Sequence, residues 1–260
     1  RALMTQRFGI LGYGAHLPAH RLGKDSGVRG PRVVASFDED ATTMAVEAAQ
    51  AVMGSAGSPG EVSSLWWAST SPPYLDKTNA VAVHAALRLP SAVPAADLVG
   101  SARSTFAGIR AAAATGGLVV AADVRVGKPG SLDEKAGGDG AAALLFGGED
   151  PIAEVLGVTG DSLELLDRWR DPQRTTGEQW EERFGFEQYA DLVRGVAARL
   201  LDGAGVEQAD HVVVTSGNAG VTKKAGALVK GVVSTRSSPI GFSGAADPLL
   251  GLAAVLDVAG

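Results

Sequence analysis

Asp97-Leu-Val-Gly-Ser-Ala102-Arg-Ser-Thr-Phe-Ala-Gly-Ile109 reads as a strand end that turns directly into a helix of small residues. The first turn of a helix leaves backbone N–H groups without intrahelical partners, and their dipoles favour a developing negative charge. Ala102 sits at that turn, between Ser101 and the Arg103-Ser104 pair, where a nucleophile would gain most from such a field. The 260 residues contain no cysteine, so no thiol is available to serve there or elsewhere in the sequence.

Working outward, 45% hydrophobic residues over 260 positions suffice for a large core, as one domain or two fused halves. Thirty-five glycines and only 5% aromatics point to closely approaching helix and sheet layers, an α/β chain. A formal charge of -6 and a pI near 5.3 argue against a nucleic-acid partner. No apolar run reaches the ~18 residues of a membrane span. The N-terminal Arg-Ala-Leu-Met-Thr lacks the apolar run of a signal peptide, so no membrane association and a cytoplasmic location are expected. Without cysteine there are no disulfides or thiolate zinc sites, and His16, His20, His84 and His211 have no ligand spacing, so no metal is expected.

Along the chain, residues 8–17 read as a strand and turn, and Asp40 as the cap of a helix reaching Met53. Strands follow at 64–69, 118–123 and 141–146, helices at 79–88 and 104–114, and a Gly- and Asp-rich loop at 127–140. A polar excursion over 161–183, carrying Trp169 and Trp180, is the expected cap over a site. A helix at 187–201, a strand at 211–215 and helices at 222–230 and 247–259 repeat the earlier rhythm. The expectation is two similar α/β halves, residues 1–150 and 151–260, the cap opening the second. Gly12-Tyr-Gly14 follows a strand but completes no nucleotide-binding fingerprint, and is read as backbone crowding.

Five stretches carry a family resemblance: Gly9-Ile-Leu-Gly-Tyr-Gly14, Asp40-Ala-Thr-Thr-Met-Ala-Val-Glu-Ala-Ala49, Ala107-Gly-Ile109, residues 210–218 and Leu249-Leu-Gly-Leu-Ala-Ala-Val-Leu-Asp-Val-Ala259. With them the chain resembles the thiolase superfamily, in its hydroxymethylglutaryl-CoA synthase and ketoacyl-ACP synthase III branch, most closely the archaeal type of the former. The resemblance implies a five-layered αβαβα sandwich of two duplicated halves and a homodimer, with the strand at 118–123 expected at its interface. Two departures stand out: residues 111–117 look too short to finish a helix and turn, and strands that follow the last helix in the family are missing.

The resemblance also assigns roles. The family's Cys, Glu and His fall on Ala102, Thr70 (in Ser69-Thr-Ser-Pro-Pro-Tyr74) and Thr215 (in Thr215-Ser-Gly-Asn218). Asn218 is kept, and a second asparagine falls on Phe242. Thr70, Ala102, Thr215 and Phe242 are therefore expected in one pocket. The remaining candidates for acid/base or oxyanion work are Tyr74, Asp76, Ser101, Arg103, Ser104, Thr215 and Asn218. Bland alternatives stand beside them: Tyr74 as a packed loop aromatic, Asp76 as a helix cap or solvated partner of Lys77, Arg103 as a dimer contact. Lys223 and Lys224 are candidates for coenzyme A phosphates, with Lys128 and Lys135 more readily read as solvated. An acyl-CoA thioester is the implied substrate. Three functions remain open: non-covalent aldol or retro-aldol chemistry, a silent acyl-CoA-binding or scaffolding subunit, and an acyltransferase. An OB-fold acyl-CoA-binding partner is implied by analogy with cysteine-independent superfamily members.

Overall fold

The computed structural model describes residues 8–26, 32–56, 58, 61–233 and 240–259. In chain order its first half holds β1 (Gly9–His16), β2 (His20–Leu22), β3 (Arg32–Val34), α1 (Ala41–Ala56), β4 (Leu65–Ser69), α2 (Ala80–Ala86), β5 (Ala95–Val99), α3 (Ser104–Thr115), β6 (Gly117–Asp123), α4 (Leu132–Ala136) and β7 (Gly140–Gly147). The second holds β8 (Arg168–Trp169), β9 (Glu178–Gln179), α5 (Glu182–Ala204), β10 (Ala209–Val212), α6 (Ala219–Lys223), α7 (Ala225–Leu228), β11 (Gly231–Val233) and α8 (Asp247–Ala259).

The first half builds a five-stranded sheet in the order β1-β7-β6-β4-β5, with β4, β5 and β6 parallel and β7 antiparallel to both neighbours. Both faces are covered, which is why β6 and β7 read as unbroken apolar runs. One face packs on α1 and α2, through Met44, Ala45, Ala48 and Val52, and the other on α3 and α8, through Ala112, Ala113, Leu249 and Leu250. The Asp40 carboxylate caps α1, accepting from the N–H groups of Thr42 and Thr43 at 2.8 Å. Gly12 and Gly14 admit that helix: a Cβ on either would lie 2.1 Å from Ala56 Cβ or 2.4 Å from the Ala48 carbonyl oxygen. Backbone crowding is thus what that glycine pair serves.

Beyond α8 the layers continue. Val213, just after β10, meets Gly251 of α8, while Val214 on the opposite face joins the cluster of α5, α6 and α7 around Ala190, Val221 and Leu228. Helices, sheet, helices, sheet and helices therefore alternate, the second sheet comprising the parallel pair β10-β11 among the described residues.

Several expectations change. Residues 111–117 do finish a helix and turn: α3 reaches Thr115, and Gly116 and Gly117, at φ +76° and +116°, swing the chain into β6 without a longer loop. A Cβ at Gly117 would fall 2.2 Å from Ser64 Oγ. The strand at 118–123 is no dimer edge, because β6 is hydrogen-bonded on one side to β4 and on the other to β7; among the described residues β1 and β5 lie at the two ends of the sheet. The loop 127–140 contains α4, α5 begins at Glu182 rather than 187, and the helix expected at 222–230 is two short ones meeting at Lys224.

Candidate active-site crevice

The parallel strands β4, β5 and β6 end together, and open α/β sheets place ligands at such carboxyl ends. The central group there is Asp123, fully buried at the end of β6. Its Oδ1 accepts from Ser69 Oγ (2.9 Å), Thr70 N (2.6 Å), Ser71 N (3.1 Å) and Ser71 Oγ (3.1 Å); its Oδ2 accepts from Thr70 Oγ1 (2.8 Å) and Ala245 N (2.6 Å). A buried carboxylate is tolerable when its lone pairs are filled in this way. The Ala245 carbonyl in turn accepts from Thr105 Oγ1 at 2.5 Å, tying the first turn of α3 to the turn before α8.

Arg125 extends the network. Its Nη1 donates to Thr70 Oγ1 at 2.9 Å, its Nη2 reaches Asp133 Oδ1 at 3.4 Å, and its guanidinium carbon lies 5.6 Å from the Phe242 ring centre. Asp133, on α4, receives Arg168 Nη1 at 2.7 Å on both oxygens, and Arg168 Nη2 donates to Gln179 Oε1 (3.0 Å) and the Gly217 carbonyl (3.2 Å). One polar chain therefore runs from β4 to the loop that carries Thr215 and Asn218. Beneath it Asp139, 2% exposed, accepts from Arg125 N at 2.7 Å and Ala35 N at 2.8 Å. Burial, outweighing those donors and the nearby Arg32 and Arg125, raises its carboxyl above the usual range. At α5, burial and then the Asp167 carboxylate, 2.7 Å away, push the Tyr189 phenol well above its ordinary value.

Thr70 is thus at the centre of this network, and Phe242 shares Arg125 with it. The segments of Ala102 and Thr215 join the same network through Thr105 and Gly217. Ala102 and Thr215 are half-buried. Of the N–H donors expected free at the start of α3, Arg103 donates to Ser101 Oγ (3.2 Å) and Ser104 to the Ser101 carbonyl (2.9 Å). Asn218 is engaged locally: its Oδ1 accepts from Gly220 N and Val221 N as the cap of α6, and its Nδ2 donates to the Glu182 carbonyl at 2.8 Å. Tyr74 is exposed, with the Lys77 ammonium over its ring, and exposed Asp76 sits at φ +55°. Asp76 caps no helix; Asp97 caps α2, accepting from Asn79 N and Ala80 N at 2.7 Å. Lys223 and Lys224 are exposed, Lys224 lying over the Phe186 ring. Among the described residues, no cluster of three or more His, Asp or Glu side chains could hold a metal, and no helix is long and apolar enough to cross a membrane.

Arg125, Asp133 and Arg168 were not singled out in the sequence. The one local signal was Asp123-Val-Arg125 at the end of an apolar strand, where a carboxylate entering the core demands partners.

No family model matches the chain. Among curated proteins, the hydroxymethylglutaryl-CoA synthase of Archaeoglobus fulgidus is 31% identical over 290 residues, covering 96% of this chain and 82% of that protein. The chain belongs to the hydroxymethylglutaryl-CoA synthase family. The synthase of Methanosphaera stadtmanae, 29% identical, covers 96% of this chain and 81% of that protein. Among solved structures, 3-oxoacyl-(acyl carrier protein) synthase III of Pseudomonas aeruginosa superposes with a TM-score of 0.83 at 21% identity, covering 97% of this chain and 90% of that one. A hydroxymethylglutaryl-CoA synthase complexed with CoA gives 0.70 at 21%, covering 80% and 60%. The family assignment and these superpositions make the fold that of the thiolases.

Proposed function

We propose that this protein binds an acyl-CoA thioester in the crevice above β4, β5 and β6, and makes or breaks a carbon–carbon bond without forming an acyl-enzyme. The observation that carries this is a family member without any cysteine that keeps the strand-to-helix turn at Ser101–Ser104. Ala102, Thr70 and Thr215 then occupy the positions of the family's Cys, Glu and His. Losing a covalent nucleophile typically removes about 10⁴ to 10⁶ in rate, so condensation by that route is absent. Backbone N–H groups need no side chain to polarise a thioester carbonyl, and those of Arg103 and Ser104 at the α3 turn exchange their Ser101 partners to do so. In the retro-aldol direction a base takes the proton of a β-hydroxyl, the Cα–Cβ bond breaks, and its electron pair passes into the thioester as an enolate that is protonated at Cα. Asp76, the carboxylate among the residues singled out, takes the β-hydroxyl proton; Tyr74, Ser101, Arg103 and Ser104 are the polar groups beside it or at the α3 turn. Lys223 and Lys224 serve the CoA phosphates, and two copies pair through β5.

A silent acyl-CoA-binding subunit is the second possibility, favoured by the engagement of Thr70, Asp123, Arg125, Asp133 and Asn218 with one another and with backbone. A panel of β-hydroxyacyl- and acyl-CoA thioesters, offered with and without a co-expressed OB-fold partner, separates the two: product release supports the lyase, and calorimetric binding without turnover the silent subunit. A covalent acyl adduct on Ser101 or Ser104, seen by mass spectrometry, would return the chain to the acyltransferases.

A further inference from the structure

The excursion that carries β8 and β9 lies over Thr70 yet is attached in an unusual way. Apolar packing secures every other layer, but none of the three core clusters contains a residue between 159 and 181. Most large apolar residues of that segment are exposed: Leu163, Leu166, Trp169 and Trp180 at 42–62%, Trp180 stacked on Phe184 of α5 with 5.5 Å between ring centres, while Leu165 is half-buried. Beside the Tyr189–Asp167 hydrogen bond at its root, charged side chains make the hairpin's attachments. Arg168 clasps Asp133 from the first half, Gln179 within the hairpin, and the Gly217 carbonyl from the second half. Arg170 Nη2 donates to the Thr70 carbonyl at 2.5 Å, Lys128 pairs with Glu178, and Asp161 with Arg199 at 2.7 Å. The hairpin tip, Asp171 to Arg174, is exposed and closed by its own turn bonds.

A segment with few buried apolar contacts occupies the low end of a protein's local stability scale. Ion pairs of partial exposure add little free energy and are weakened by salt. Because none of the core clusters includes a residue of this hairpin, detaching it takes no member out of the core. We propose that the 168–179 hairpin is a gate over the Thr70 crevice, latched shut by Arg168 on Asp133 and opening without unfolding of the sandwich. Opening frees the Thr70 carbonyl and the carboxyl ends of β4 and β6; closure returns Arg168 to its place between the two halves. The ligand part of the inference rests on the proposed acyl-CoA crevice.

Hydrogen exchange of the full chain, read by mass spectrometry at 50 and 500 mM NaCl, tests the gate. Peptides spanning 165–181 should exchange several-fold faster at the higher salt, and about ten- to a hundredfold faster in Arg168→Ala, which loses the charge-assisted contact of Nη1 with both Asp133 oxygens and the Nη2 bonds to Gln179 and Gly217. Arg168→Lys should fall between, and peptides of β4, β6 and β7 should not change. Exchange of the hairpin only together with β6, or hairpin rates indifferent to salt, would overturn the gate; the salt series decides this on the unmodified protein should Arg168→Ala fail to fold. Acetyl-CoA should slow the hairpin peptides. Calorimetric binding of acetyl-CoA with hairpin exchange unaltered would sink the gate and leave the acyl-CoA function intact, whereas no binding at all would sink that function and leave the gate to the salt series.

Discussion

Replacing Asp123 by Asn changes one atom in the most heavily bonded side chain of the crevice. The amide oxygen, placed as Oδ1, can still accept from Ser69, Thr70 and Ser71. The amide nitrogen at the Oδ2 position cannot accept. Thr70 Oγ1 can rotate to accept from it, but the Ala245 N–H, now 2.6 Å from a carboxylate oxygen, faces another donor. A buried donor left without a partner costs about 1–3 kcal/mol, and the remaining bonds lose their charge assistance, giving about 2–4 kcal/mol in all. For a chain of this length each kcal/mol lowers the melting temperature by roughly 2–4 °C, so Asp123→Asn should melt about 4–16 °C below the parent. Circular dichroism melts at neutral pH measure this. A variant that melts within about 1 °C of the parent would refute the claim that this carboxylate joins β4 to the turn before α8.

Gly117→Ala, forced to φ +116° with its Cβ 2.2 Å from Ser64 Oγ, should cost roughly 3 kcal/mol or more and is read by urea unfolding. Ala102→Cys should acquire an acyl adduct slowly in mass spectrometry but give no condensation turnover, because each missing acid/base group is worth about 10² to 10⁴ in rate. Lys223→Ala with Lys224→Ala should weaken acyl-CoA binding by several-fold in calorimetry at low salt and lower the melting temperature by a few degrees at most, since both side chains are exposed and the Lys224 contact with the Phe186 ring is worth about 0.5–1 kcal/mol. Tyr189 keeps its proton in the folded protein above pH 10, where the unfolded chain loses it, so its contribution is present below pH 10 and is lost as the pH rises beyond it. Melting temperatures from pH 9 to 11 should therefore fall less steeply in Tyr189→Phe than in the parent.

Elements whose burial follows a simple period were legible in the sequence. The α1 stripe from Ala41 to Val52, the apolar runs of β6 and β7, and α8 from Asp247 onward all lie where the pattern put them. The start of α5 was hidden because Gly185 and the polar residues around it read as loop; Gly185 is buried against Asn218 and Asp167, a contact 33 residues away in sequence on one side (218 − 185). β2 and β3 are three residues each and carry no alternation long enough to register. At the crevice, Thr70 was found through its motif, whereas its partners were not: Arg125 is 55 residues away, and Arg168 lies 35 from Asp133. Convergence of strand ends is a property of topology, which no local window contains. The cap over 161–183 was read from its polarity, and its arginines turned out to be its attachment.

The tie between Asp123 and Ala245 spans 122 residues and crosses from one half to the other. α8, from the far end of the chain, supplies Leu249 and Leu250 to the face of the first sheet opposite α1. The N-terminal piece of a cut near Asp150 would therefore lack both one wall of its own core and one of the donors to its buried Asp123 carboxyl. Neither piece should fold in isolation, yet mixing the two should restore a single cooperative melt. The molecule is in that sense one folding unit written as two, and severing it at the exposed Glu149–Asp150 loop would make it a pair of complementing fragments.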